Sequence, residues 1–108
     1  MDLELKDKVA IIGGASKGLG RACAEVLAEE GAKITICSRT REDLEQAAAE
    51  IRDTTGAEVL AFAGDLEKYD VIKDLVAATV DRFGRLDIMV NNSGGPPLAR
   101  SYNATEEQ

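Results

Sequence analysis

The chain has 108 residues, 44% of them hydrophobic and 31% charged, with 20 acidic residues against 13 basic ones and a formal net charge of −7. That length bounds it to one domain with a modest core, and the acidic balance argues against a nucleic-acid or anionic membrane surface as partner. Histidine is absent, which excludes histidine acid–base work and histidine metal sites within these residues, and no run approaches the ~20 apolar residues of a membrane span.

The opening Met1-Asp2-Leu3-Glu4 is acidic and has no apolar signal core. Residues 8–13 read as a first strand around Val9-Ala10-Ile11-Ile12. Leu19, Ala22, Cys23, Val26 and Leu27 then fall at helical spacing, predicting an amphipathic helix with that inner face, stopped by Gly31. Residues 33–37 (Lys33-Ile34-Thr35-Ile36-Cys37) read as strand two. A second helix follows, with Thr40 as N-cap, Leu44, Ala47, Ala48 and Ile51 inward, and Gly56 at its end.

Residues 58–63 form strand three. The third helix turns Ile72, Leu75, Val76, Thr79 and Phe83 to one side and closes at Gly84, and residues 86–91 form strand four. Strands separated by helices imply crossover connections, hence a parallel sheet covered on both faces. Right-handed crossovers give the strand order 3-2-1-4.

Beyond Asn91 the residues Gly94-Gly95-Pro96-Pro97 read as a rigid loop that also holds Ser101 and Tyr102, and Thr105-Glu106-Glu107 reads as an N-cap and first helical turn. A helix that begins and is cut off is the mark of a fragment. The edge of strand four (Ile88, Met89, Val90) is then expected to lie unpaired and to drive self-association. Cys23 and Cys37 have no metal-ligand spacing and read as buried, reduced thiols of a cytoplasmic protein.

The residues between strand one and helix one carry the most chemistry. Gly13-Gly14-Ala15-Ser16-Lys17-Gly18-Leu19-Gly20 follows an apolar run and leads into a helix. That arrangement lets main-chain N–H groups approach a phosphate at a helix N-terminus, where the dipole favours negative charge. The spacing Gly14-x-x-x-Gly18-x-Gly20 is neither the common G-x-G-x-x-G nor a Walker A loop, since Lys17 precedes Gly18. The alternative is a glycine turn kept only for close helix–strand packing.

This glycine turn, Asp65-Leu66 after strand three, and Asn91-Asn92-Ser93-Gly94 after strand four occur in one order and on matching elements. Together they resemble the short-chain dehydrogenases/reductases, and within them the 3-oxoacyl-acyl-carrier-protein reductase-like branch. The resemblance covers essentially the whole chain, as the N-terminal part of a single Rossmann-type, doubly wound α/β domain. Gly13 stands where a threonine is common, and Ser93 where alanine is usual.

The resemblance implies that Gly14, Ala15, Ser16, Lys17, Gly18 and Leu19 wrap the pyrophosphate and adenosine ribose of a nicotinamide dinucleotide. It implies that Asp65 accepts a bond from the adenine amino group with Leu66 against the ring. Asn91 would brace the sheet, and Asn92, Ser93 and Gly94 would line the nicotinamide side. For Asp65 the alternative is a strand-end carboxylate capping the next helix, and for Asn91 and Asn92 a local turn.

Cofactor choice follows from charge. An acid at the end of strand two bonds the ribose 2′-hydroxyl of NAD, whereas NADP requires a cation for its extra phosphate. Here that strand end reads Cys37-Ser38-Arg39-Thr40-Arg41, with no acid before Glu42. Arg39 offers a forked guanidinium, Ser38 a hydroxyl, and Lys17 a second positive charge. NADP is favoured over NAD, with Arg41 read as a solvated helix-start residue.

The family's catalytic Asn, Ser, Tyr and Lys lie, by the resemblance, beyond these 108 residues. Tyr69-Asp70-Val71-Ile72-Lys73 matches the letters Tyr-x-x-x-Lys, but it precedes the Asn91 motif and opens a helix, so it is rejected as the catalytic pair. The implied reaction is hydride transfer between nicotinamide and a small carbonyl or secondary alcohol. The resemblance also implies a homo-oligomer, commonly a tetramer. The alternative is a stand-alone dinucleotide-binding module without catalysis, or an interaction piece that has lost cofactor affinity.

Overall fold

The computed structural model describes residues 5–15, 18–91 and 101–102. Strands β1 (Val9–Gly13), β2 (Lys33–Ser38), β3 (Val59–Ala63) and β4 (Ile88–Asn91) alternate with helices α1 (Gly18–Glu29), α2 (Arg41–Thr55) and α3 (Tyr69–Phe83). A two-residue strand, β5 (Ser101–Tyr102), follows. The sheet order is β3-β2-β1-β4-β5, parallel through the first four strands, so the expected 3-2-1-4 order holds. The residues 92–100 and 103–108, with the expected rigid loop at 94–97 and the helix start at Thr105, lie outside the described residues.

Strand alternation divides the core. Ala10, Ile12, Ile34 and Ile36 face α1 and α2, packing with Ala24, Ala28, Leu44, Ala47, Ala48 and Ile51. Ile11 and Cys37 point the other way, with Leu66 and Leu75, and Ile72, Val76 and Met89 close around them. β1 is buried along its whole length because strands flank it and helices cover both faces. Each fully buried isoleucine of these strands contributes on the order of 1.5–3 kcal/mol. On the α3 face, the buried hydroxyls of Thr35 and Thr79 hydrogen-bond each other at 2.9 Å, and Thr79 Oγ1 also bonds the Leu75 carbonyl at 2.8 Å. Neither polar side chain is left unsatisfied in the core.

The second helix buries the four residues expected of it. Thr40 is its N-cap by position, yet its side chain makes no cap bond; its carbonyl accepts the Leu44 amide at 3.0 Å. The first helix differs from expectation. Its buried residues are Gly20, Ala24 and Ala28, whereas Leu19 is 66% and Val26 51% exposed. The reason is steric: a Cβ on Gly20 would run into the Gly14 carbonyl, so the helix settles on its small residues and its larger ones turn out. Cys23 accordingly is only half-buried, while Cys37 is fully enclosed.

A second correction concerns the sheet edge. Ser101 and Tyr102 are not loop: β5 pairs antiparallel with β4, with Met89 opposite Tyr102 and Val90 opposite Ser101. Met89 and Val90 on the outer edge of β4 are therefore paired, which corrects the expectation that this edge lies unpaired at those two positions.

Asp87 ties the start of the sheet together. Its Oδ2 accepts the Val9 amide at 2.9 Å, its own amide donates to the Val9 carbonyl at 2.9 Å, and Arg85 donates to Oδ1 at 2.8 Å. The Arg85 hydrogen bond, with the Val9 amide's help, holds the Asp87 carboxyl below its ordinary range against partial desolvation. A depressed folded-state pKa stabilises the fold above the unfolded value and loses that contribution as pH falls through the folded one. We expect Asp87→Ala to cost about 1.5–3 kcal/mol at neutral pH, since a buried amide loses a charged acceptor. The gap from the wild type, read by urea unfolding, should narrow below about pH 4. A pH-independent gap would contradict this account.

Candidate functional site

The register brings the carboxyl ends of the four parallel strands level. Gly13 lies opposite Cys37 on one side and Asn91 on the other, and Ser38 lies opposite Ala63. At such a rim, in the crevice where strand order reverses between β1 and β4, open α/β sheets bind their ligands.

The glycine turn is built on β2. The amides of Gly14 and Ala15 both donate to the Cys37 carbonyl, at 2.8 and 3.2 Å. Gly14 reaches this position with φ of 68°, a left-handed conformation that costs a side-chain-bearing residue about 1–2 kcal/mol. These two amides are thus committed to the protein. Among the described residues, the leading amides of α1, those of Gly18, Leu19 and Gly20, have no acceptor within the helix and can offer donors to an anion. Leu19 stands exposed at this helix start. Ser16 and Lys17 lie outside the described residues.

The same tie sets the end of β2 beside the turn. Ser38 Oγ accepts the Thr40 amide at 3.2 Å, and the Ser38 carbonyl accepts the Gly64 amide at 2.9 Å, linking the ends of β2 and β3. Arg39 is exposed and forms no ion pair among the described residues. Arg41 instead pairs with Glu45 one turn along α2, at 3.4 Å, on a highly exposed surface. Two neighbouring arginines thus have different surroundings.

Asp65 follows β3 and is half-buried. Its Oδ1 accepts the Glu67 amide at 2.9 Å, forming an Asx turn, and the N-cap of α3 is Lys68 rather than Asp65. Leu66 is turned inward, 9% exposed, among Ile11, Cys37 and Leu75. Asn91 ends β4 with its side chain exposed at the rim, and Asn92, Ser93 and Gly94 lie outside the described residues. Tyr69 opens α3 and is 76% exposed, with Lys73 also on the surface.

Burial pushes the Cys37 thiol up to about 11, so it is protonated and unreactive at neutral pH. Its structural part is played by its main chain. Among the described residues no group of three or more acidic, histidine or cysteine side chains could hold a metal, and no helix is long and apolar enough to cross a membrane.

Sequence reading missed two features of this site: the Cys37 carbonyl as anchor of the turn, and the contact between Leu66 and the space over Gly13. The first is a main-chain atom with no residue signature. The second joins positions on different elements, and only the folded register shows it.

A parallel sheet in this order, with a glycine turn leading into the helix after its first strand, defines a Rossmann-type dinucleotide-fold protein. The short chain dehydrogenase family profile matches residues 8–108, and the chain belongs to that family. It is 38% identical over 108 residues to 1,6-dihydroxycyclohexa-2,4-diene-1-carboxylate dehydrogenase of Pseudomonas putida, covering 100% of this chain and 39% of that protein. L-sorbose reductase from Gluconobacter frateurii, solved with NADPH and L-sorbose, superposes with a TM-score of 0.84 at 38% identity, over 88% of this chain and 36% of that one. An NAD+-bound xylitol dehydrogenase superposes with a TM-score of 0.80 at 34% identity, over 85% of this chain and 35% of that one. The chain thus spans about two-fifths or less of the length of these relatives.

Proposed function

We propose that these residues form the cofactor-binding part of an NADP(H)-dependent oxidoreductase acting on a small carbonyl or secondary alcohol, as one portion of a single Rossmann domain. The observation that supports the reading is the tie between the glycine turn and the Cys37 carbonyl, two residues before Arg39 in the chain. An anion held by the leading amides of α1 would have a guanidinium within the neighbouring strand end and no acid before Glu42. Relatives bound to NADPH and to NAD+ both resemble the chain, so the preference for NADP rests on Arg39, with Ser38 and Lys17 in support.

In this reading Gly18, Leu19 and Gly20 hold the pyrophosphate, with Gly14 and Ala15 shaping the turn and Ser16 flanking it. Asp65 bonds the adenine, and Asn91, Asn92, Ser93 and Gly94 border the nicotinamide half. When bound, the nicotinamide supplies hydride transfer at its C4 carbon. The residues of this chain bind and orient it, and no proton-handling role is assigned to them. The free thiols of Cys23 and Cys37 fit a reducing cytoplasmic compartment, and a homo-oligomer is proposed from family resemblance alone.

The test is an assay of NADPH oxidation against a panel of ketones and aldehydes, run on the protein at its natural length and on the 108-residue chain. Turnover by the former and binding without turnover by the latter support the reading. Binding without turnover by both would make this a nucleotide-binding module, and no binding by either would leave only the fold.

A further inference from the structure

Gly13 ends β1 on the α3 face of the sheet, the side that Ile11 shares by strand alternation. Its φ is not positive, so the backbone conformation does not demand glycine. Space does. A Cβ at this position would collide with Leu66 Cδ1 and lie 3.2 Å from Asn91 Oδ1. Leu66 comes from the turn between β3 and α3, and it is buried against Ile11, Cys37 and Leu75. The same turn carries Asp65, whose carboxylate accepts the Glu67 amide and whose carbonyl accepts the Lys68 amide at 3.1 Å. Fixing Leu66 therefore fixes the turn that holds Asp65. Asn91 arrives from the opposite side, in register with Gly13.

We propose that Gly13 is a positioning residue. The room left by its missing side chain seats Leu66, and that seat sets the Asp65 turn and the Asn91 carboxamide against the end of β1. Leu66 thereby anchors the rim to the core. The proposal rests on reading this rim as the dinucleotide site, but the packing it invokes can be measured without any ligand.

The experiment is a double-mutant cycle of Gly13→Ala and Leu66→Val in the 108-residue chain. It reads the thermal midpoint without ligand, and NADPH affinity at a temperature where every variant is folded. Valine lacks the δ-carbons that occupy the seat. Gly13→Ala alone should lower the midpoint by about 5 °C through overpacking and weaken NADPH binding about fivefold through the displaced turn. In the Leu66→Val background the same change should cost under about 2 °C and leave affinity within about twofold of the wild type.

Equal midpoint losses in both backgrounds would overturn the proposal. So would an unchanged NADPH affinity in a folded Gly13→Ala variant. If Gly13→Ala alone does not fold, the double variant must fold and bind, and its failure counts equally against the seat. A wild-type chain that does not bind NADPH would count against the functional reading, and the midpoint cycle would then decide the packing claim by itself.

Discussion

Replacing Gly20 with alanine is expected to lower the stability of the chain by about 3 kcal/mol, at the upper end of overpacking costs. A Cβ there meets main-chain atoms, colliding with the Gly14 carbonyl oxygen and lying 2.8 Å from its carbon and 3.2 Å from Ala15 Cα. Backbone cannot swing aside as a side-chain tip can. Either α1 must rise off the sheet, uncovering Ala24 and Ala28, or the glycine turn must break its bonds to the Cys37 carbonyl. For a domain of this size 3 kcal/mol corresponds to a fall in midpoint of more than about 10 °C. Gly18→Ala provides the contrast. Open space surrounds that position, but its φ is 68°, so the cost is conformational strain of about 1–2 kcal/mol. Thermal melts of the two variants check the order, and a larger loss at Gly18 would contradict the close-approach account.

Arg39→Ala is expected to weaken NADPH binding by about 10- to 100-fold, the range for a lost charge-assisted contact. NADH binding should stay within about twofold, because it has no 2′-phosphate to lose. Arg41→Ala should change neither by much, since that side chain is engaged with Glu45 on an exposed helix face. Fluorescence titration of both nucleotides into the three proteins reads the pattern. Equal losses for NADPH and NADH at Arg39 would mean that it serves the common part of the cofactor.

Most of the architecture was legible because large apolar residues carried it. The runs around Ile11, Ile34 and Ile36, separated by helical stretches, dictate parallel strands and their order. Leu44 and Ile51 mark the inner face of α2 unambiguously. On α1 the same reasoning chose Leu19 and Val26, which are exposed, because apolar periodicity weights bulk. Contact with the sheet there depends on smallness at Gly20, Ala24 and Ala28, which gives almost no hydrophobic signal. β5 was invisible for another reason. Two residues in a polar stretch pair with β4 through tertiary context, not through local propensity.

The candidate site divides along similar lines. The glycines of the turn and the arginine after β2 announce themselves by residue type and position. What holds them does not. The Cys37 carbonyl that fixes the turn could belong to any residue, and the Asx turn at Asp65 with N-cap at Lys68 is a choice among local alternatives. The clamp of Asp87 on Val9 joins residues 78 apart in sequence. Main-chain anchors and long-range side-chain bonds become visible only when the register is known.

The central claim is that the rim formed by the glycine turn, Arg39, Asp65 and Asn91 binds NADP(H), and its most direct test is titration of the 108-residue chain with NADPH and, separately, NADH. The expected result is saturable binding of NADPH at one site per chain, at least about tenfold tighter than NADH. Absence of saturable binding for either nucleotide, or tighter binding of NADH, would contradict it.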